Sequence, residues 1–191
     1  MGLKRGTVKL EKHNNNWKDD FNIEKDNLEK LFGDVALKIE HIGSTSLNEI
    51  MAKPIIDIAV GVRSLDDFKK VENNFKNYPY SIKEDSVTDE ILVRKEQNEC
   101  ILYLIHVMEI ESKRYIDTIV FRDYLIENPN RLKEYEKLKI QLAKKYADNR
   151  VMYTMSKAEF IQNTLKMAYC KNWLNKYKVN NIIYFVFFIK K

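Results

Sequence analysis

The sequence predicts an α/β fold of the mixed (α+β) kind: a mixed β-sheet packed with helices, and a helical C-terminal part. Three observations lead there. Two apolar runs, Ile55–Val62 and Ile101–Ile110, alternate with period two as strands do. Helical and strand periodicities alternate in the first half of the chain. Beyond Asn128 helical periodicity dominates, up to a tail whose NNIIYFVFFIKK suits an added edge strand or an exposed sticky terminus, and that succession fits helices packed on a sheet.

The first helix is expected from Asn16 to Phe32, where Trp17, Phe21, Leu28 and Leu31 recur as one apolar stripe and Gly33 ends it. Glu24 lies within that stripe, so it needs either a polar partner, a lysine or the functional pocket, or exposure at the helix edge. A strand follows in VALKIEHI. Val35, Leu37, Ile39 and His41 fall on one face and Ala36, Lys38, Glu40 and Ile42 on the other, so Glu40 and His41 point apart unless a bulge before Gly43 intervenes. In the next strand Ile56, Ile58, Val60 and Val62 share one face, and Ile55, Asp57, Ala59 and Gly61 the other. Ser64 with Asp67 resembles a capping box opening a helix through Leu65, Phe68, Val71 and Phe75, which Pro79 closes. Strands are expected at Ile91–Lys95 and Ile101–Ile110. Asn128 and Pro129 then make an N-cap and first-turn pair for a helix carrying Leu132, Tyr135, Leu138, Leu142 and Tyr146. One last long helix is expected over Arg150–Leu174.

The stretch from His41 to Val62 concentrates the chemistry. Asp57 sits in a run so apolar that its carboxylate needs a partner, a metal or a ligand, because burying it unpaired costs several kcal/mol or neutralises it. The alternative is a structural acid capping a nearby loop. Gly43 begins a short turn whose backbone N–H groups, with Ser44, Thr45 and Ser46, offer a phosphate cradle. No second Gly precedes a Lys-Ser/Thr pair, so this is not a Walker P-loop. Lys53 can neutralise phosphate or simply lie solvated. His106, on the Leu102, Leu104 and Met108 face of its strand, reads as a core histidine or as a site residue. Tyr153 and Lys157 share a helical face, on which Lys157 either contacts phosphate or covers a core of Tyr153, Phe160 and Ile161. Arg122 and Asp123 pair with neighbouring helices or line the pocket mouth.

These residues also carry a resemblance. Glu40, His41, Ile42, Gly43, Ser44 and Thr45, followed by Lys53, Pro54, Ile55, Ile56, Asp57 and Ile58, resemble the signature of the GrpB family. His106 and Val107, the FRDYL of Phe121–Leu125, Tyr135 with Leu138 and Lys139, and Tyr153, Thr154, Lys157, Phe160 and Ile161 continue it in order. The resemblance runs from about Val8 to Ala168. It implies a nucleotidyltransferase-like fold, a single domain over residues 8–176, and a tail at 177–191 outside it. In that superfamily a Gly-Ser turn precedes an Asp-x-Asp pair. Gly43 and Ser44 match the turn and Asp57 the second acid, but Ile55 stands in the first acid's place. Two-metal nucleotidyl transfer needs several carboxylates, so the departure bears on the chemistry. Asn48 and Glu49 also replace the family's Pro-Gly, and Leu104 replaces the first residue of a His-x-His pair found in some members.

Composition bounds the rest. A chain of 191 residues is long enough to bury a sizeable core, and its net charge of +5 suits anionic ligands. The basic residues do not cluster with exposed aromatics, so a dedicated nucleic-acid binder is disfavoured. Two unpatterned cysteines, Cys100 and Cys170, and a start without an apolar signal core lead us to expect a cytoplasmic protein. The longest apolar run, Ile182–Ile189, falls well short of the roughly 20 residues that span a bilayer. Two function classes follow. In the first, Asp57 with Glu40 or His106 holds Mg²⁺ while Gly43, Ser44, Thr45, Lys53, Lys157 and Arg122 receive a phosphorylated substrate for nucleotidyl or phosphoryl transfer. In the second, a binding or accessory module takes a small anionic ligand or nucleotide with an incomplete metal site.

Overall fold

The computed structural model describes residues 1–85 and 89–170. Its elements run β1 (Leu3–Lys4), α1 (Asn16–Phe32), β2 (Lys38–Ile42), β3 (Ile56–Val62), α2 (Leu65–Lys69), β4 (Tyr80–Asp85), β5 (Glu90–Gln97), β6 (Cys100–Glu109), α3 (Lys113–Glu127), α4 (Pro129–Lys145), α5 (Arg150–Met155) and α6 (Ala158–Cys170). The expected mixed sheet with helices against it is present, and the carboxyl-terminal part is helical.

The sheet order is β2-β3-β6-β5-β4, with the short β1 added against β6. β3 and β6 pair in parallel while the other pairs are antiparallel. After β3 the chain therefore crosses to the far edge and returns strand by strand, β4, β5, β6, until it reaches β3 again. Register brings the chemistry together: Ile42 lies opposite Asp57, Asp57 opposite Leu104, and Ala59 opposite His106.

The alternation read along β3 holds. Ile56, Ile58, Val60 and Val62 are fully buried in the main core with Trp17, Leu28, Leu31 and Phe32 of α1. Each such aliphatic side chain contributes about 1.5–3 kcal/mol by leaving water. Ala59 packs on the opposite face with Ile42, Met108, Tyr115 and Ile119, under α3. Helix α6 packs on α3 through Ile116, Val120, Tyr124, Leu165 and Ala168. Asp57 and His106 occupy this second face.

Several local expectations are corrected. The segment Arg150–Leu174 is not one helix: α5 ends at Met155, a turn at Ser156 and Lys157 follows, and α6 begins at Ala158. The turn serves two separate packing demands, Tyr153 buried beside Lys53 and Phe160 stacked on Tyr135 at 5.4 Å, and such tertiary demands override helix propensity. Leu174 lies outside the described residues, as does the 177–191 tail. Helix α2 stops at Lys69, and a separate 3₁₀ turn, Glu72–Phe75, brings Phe75 onto Phe32 and Phe68. Glu24 is not at an exposed edge. It is wholly buried, accepting from the Tyr80 hydroxyl at 2.8 Å and from Lys95 Nζ at 2.5 Å, so a lysine is its partner. Asn128 precedes Pro129 as expected, but its side chain donates back to Tyr124 O at 2.8 Å and closes α3. Among the described residues, no helix is long and apolar enough to cross a membrane.

Candidate functional site

Asp57 projects from β3 toward α3 with about a quarter of its side chain exposed. Directly across the strand pair, the chain leaves β2 at Gly43 with φ +69°. A Cβ on Gly43 would lie 2.3 Å from Asp57 Oδ2 and 2.8 Å from Asp57 Cβ, so the glycine backbone rests on the carboxylate. Only glycine supplies both that approach and that φ without strain. The turn then continues through Ser44–Ser46, where Ser46 Oγ donates to Gly43 O at 2.7 Å.

Thr45 does not face the site. Its hydroxyl is buried, 2.9 Å from His41 Nε2 and 3.4 Å from Ile55 O, and ties the turn to β2 and to the entry of β3. His41 lies on the opposite sheet face from Glu40, as regular alternation requires, stacked on Phe21 at 4.7 Å. Burial pulls its pKa down to about 4 and Arg122 adds to that, outweighing the opposing pull of Asp57. Glu40 does not join Asp57 either. Its carboxylate accepts from Arg122 Nη1 at 2.7 Å, and the same nitrogen donates to His41 O at 2.9 Å while Arg122 Nε donates to Asp123 at 2.7 Å. Glu40 and Arg122 thus fasten α3 to β2.

His106 is the residue that meets Asp57. Its Nε2 lies 3.8 Å from Asp57 Oδ1, and its Nδ1 lies 3.2 Å from Glu90 Oε2. Glu90 is held in turn by Arg114 through two parallel contacts, Nε to Oε2 and Nη2 to Oε1, both 2.8 Å. The row Asp57, His106, Glu90, Arg114 alternates in charge. Burial works against the imidazolium, but its hydrogen bonding and attraction to the two carboxylates prevail and lift its pKa to about 9. Burial likewise pushes Glu90 up, yet His106 and Arg114 bring it down to about 2. Asp57 is also lowered: burial opposes, while His106 first and then Lys53 and Lys157 hold it ionised.

A second group of cations acts on Asp57. Lys53 Nζ and Lys157 Nζ lie 5.4 and 4.7 Å from the ring centroid of the buried Tyr153. Burial, then Arg150 and Lys157, depress Lys53 to about 7 against the pull of Asp57. The loop carrying Lys53 is clamped by α4: Glu136 accepts from Met51 N at 2.7 Å and Lys139 donates to Met51 O at 2.5 Å. Next along, Ala52 exchanges both backbone hydrogen bonds with Glu11. Lys139 is itself 1% exposed, and burial with the charges of Lys157 and Lys53 brings it to about 7 despite Glu136.

A cavity of about 720 Å³ opens between the sheet and helices α3 and α6. Gly43, Asp57, His106, Arg114 and Arg122 lie on its polar side, with Asp89, Lys113 and Asp117 as further charged lining, and Ile42, Leu47, Phe121 and Leu165 on its apolar side. That volume and mixed lining belong to small-molecule sites. Mg²⁺ does not suit the donor set. It asks for several hard oxygen ligands at one point, whereas Asp57 stands among cations, and the cavity's other acids, Asp89 and Asp117, are not grouped with it. Ile55, in the place where a second acid would stand, is buried against Leu3 and Ile101. Among the described residues, no group of three or more His, Cys, Asp or Glu side chains is arranged to hold a metal ion.

The sequence therefore pointed to Gly43, Asp57, His106, Lys53 and Lys157, and the structure brings these around one carboxylate. It missed Glu90, Arg114, Glu136 and Lys139. Lys139 had a signal, since it follows Tyr135 by four residues on an apolar helical row where a lysine is out of place. Glu90 and Arg114 had none, because they reach His106 only through the tertiary fold.

Comparison with known proteins gives consistent matches. A family model described as GrpB protein matches residues 7–167. The chain is 37% identical over 170 residues to "Glutamate-rich protein GrpB" of Alkalihalophilus pseudofirmus, covering 86% of this chain and 98% of that protein. It is 34% identical over 167 residues to UPF0157 protein YqkA of Bacillus subtilis, covering 87% of this chain and 48% of that one. A crystal structure of the conserved protein GrpB from Enterococcus faecalis superposes with TM-score 0.78 at 29% identity, over 86% of this chain and 99% of the other.

Proposed function

This chain belongs to the GrpB family, and from that premise we propose that it is a binding module of nucleotidyltransferase shape whose Asp57 pocket takes a small phosphorylated ligand, a nucleotide or a phosphometabolite, without a catalytic metal. The observation that carries this is the setting of Asp57. Its carboxylate contacts the His106 imidazolium and feels Lys53 and Lys157, an excess of positive charge that attracts an anion and repels a divalent cation. The rest of the cavity supports the same ligand class. Phe121, Leu165, Ile42 and Leu47 offer an apolar wall for a ring, and the Gly43 turn leaves little side-chain bulk near the carboxylate. We assign the protein to the cytoplasm, where thiols such as Cys100 and Cys170 stay reduced.

Metal-dependent nucleotidyl or phosphoryl transfer is the competing reading, favoured by Gly43 lying directly on Asp57. Calorimetric titration with nucleoside triphosphates, with and without Mg²⁺, separates the two. The module binds equally well without metal, keeps binding in Asp57→Ala, and loses affinity in His106→Gln. Binding that needs Mg²⁺ and disappears in Asp57→Ala would establish the transferase reading instead. No binding in either condition would remove nucleotides as ligands.

A further inference from the structure

We propose that Arg150, with Arg94, Lys53 and Lys157, forms a seat for a phosphoryl group beside Asp57. The inference rests on the pocket reading above and names the chemical group by which the ligand is anchored. Its starting point is Arg150, at the first position of α5. The backbone N–H of Arg150 donates to Gly6 O at 3.1 Å, which fixes where the residue sits. Both terminal nitrogens of its guanidinium are buried, and neither has a hydrogen-bond partner among the described residues. Arg94 Nε is in the same condition. Buried donors are almost always satisfied, so the two unfilled terminal nitrogens of Arg150, with the Nε of Arg94, indicate acceptors that the described residues do not provide.

Topology and charge relate these donors to Asp57. Arg94 on β5 lies opposite Leu104, and Leu104 lies opposite Asp57, so Arg94 and Asp57 share a sheet face two strands apart, about 10 Å along the hydrogen-bonding direction. Arg150 is within electrostatic reach of both Asp57 and Arg94. Lys53 feels Arg150, Lys157 and Asp57 together, and Lys53 and Lys157 share the ring of Tyr153. Lys53, Lys157 and Arg150 thus share electrostatic contact with the carboxylate that His106 already meets, and Arg94 acts on Arg150. Glu96, near Arg94, is committed to Arg5.

The chemistry selects the ligand. A guanidinium presents its terminal N–H groups as a planar fork that matches two oxygens of one oxyanion, and ammonium groups complete the charge balance as point donors. Donors arriving from β5, from the loop before β3 and from α5 and the turn after it approach from several directions. A tetrahedral dianion with several acceptor oxygens meets them better than a planar carboxylate does.

The test titrates the full chain with inorganic phosphate at constant ionic strength, by calorimetry and by thermal unfolding, in wild type and Arg150→Met. Phosphate is expected to bind and raise the unfolding temperature of the wild type, and the variant should bind it at least about tenfold more weakly. In phosphate-free buffer the variant should unfold at the same or a higher temperature, because a buried cation without partners has been removed. Absence of phosphate binding to wild type, equal binding in the variant, or a variant clearly less stable without phosphate would each overturn the seat. Lys157→Met is the second variant, with the same expected loss of affinity. A parallel arm uses AMP: tighter binding than phosphate supports the seat with a phosphorylated metabolite as ligand, and equal binding supports it with free phosphate. Nucleotide binding indifferent to Arg150→Met would sink the seat and keep the pocket reading, whereas phosphate binding by a protein that takes no nucleotide would do the reverse.

Discussion

Gly43 and Asp57 are in contact across the β2–β3 pair, the backbone of one lying on the carboxylate of the other. A methyl group at position 43 would enter the space of Asp57 Oδ2 at 2.3 Å, and the φ of +69° adds a penalty for any L side chain. Gly43→Ala is therefore expected to lower stability by about 1–3 kcal/mol and to turn Asp57 away from His106. Urea denaturation reads the first effect. The His106 imidazole titration, followed by NMR, reads the second, and a pKa for His106 unchanged from wild type would refute the displacement.

The His106 bridge predicts a signed pH dependence. Its pKa rises from 6.5 to about 9 on folding, so its contribution is full below about pH 6.5 and is lost as pH climbs through about 9. Glu90 runs the other way, from 4.5 down to about 2, so its share is present above about 4.5 and is lost as pH falls through about 2. His106→Gln should cost roughly 2–4 kcal/mol at pH 6, where two carboxylates would be left facing each other. The gap from wild type should narrow steadily toward pH 10. A gap independent of pH would mean that His106 is not charged in the folded protein.

Lys139 and Lys53 drive the opposite trend. Both fall from 10.5 to about 7, so their contribution is present above about pH 10.5 and is lost as pH falls through about 7. Wild type is expected to gain from these groups as pH rises between about 7 and 10. Lys139→Met should flatten the slope of unfolding free energy against pH over that range, with His106 contributing equally to both proteins. An unaltered slope would show that Lys139 keeps its ordinary basicity.

Glu24 tests the other face of the sheet. Removing its carboxylate in Glu24→Ala strands the Lys95 ammonium and the Tyr80 hydroxyl, and breaking such a buried pair costs about 3–5 kcal/mol. The double variant Glu24→Leu, Lys95→Met should recover most of that loss by replacing the pair with apolar contact. Equal destabilisation by the single and double variants would contradict this account.

Much of this molecule is legible where one residue's role follows from local period. The two faces of β3, the stripe of α1 and the opposed directions of Glu40 and His41 all follow from spacing along one element. Asp57 stood out because a carboxylate interrupts an apolar alternation, and Glu24 for the corresponding reason on a helix. What escaped depends on partners distant in sequence. No element is expected over Tyr80–Asp85, with its polar SIKED, and β4 forms there because β5 pairs with it. The break between α5 and α6 carries no Gly or Pro and is imposed by what Tyr153 and Phe160 each pack against. Glu90 and Arg114 enter the site only because the fold brings β5 and α3 beside His106.

The parallel pairing of β3 with β6 has a kinetic consequence. Asp57 and His106 stand roughly fifty positions apart in the chain, and neither a hairpin nor a single helical turn can unite them. The β4–β5–β6 meander zips up through near neighbours, whereas joining it to β3 requires closing a long loop whose entropy weighs against early contact. The ion pair at the heart of the pocket is thus a marker of completed topology, and refolding followed through His106 would report the non-local docking step rather than hairpin growth.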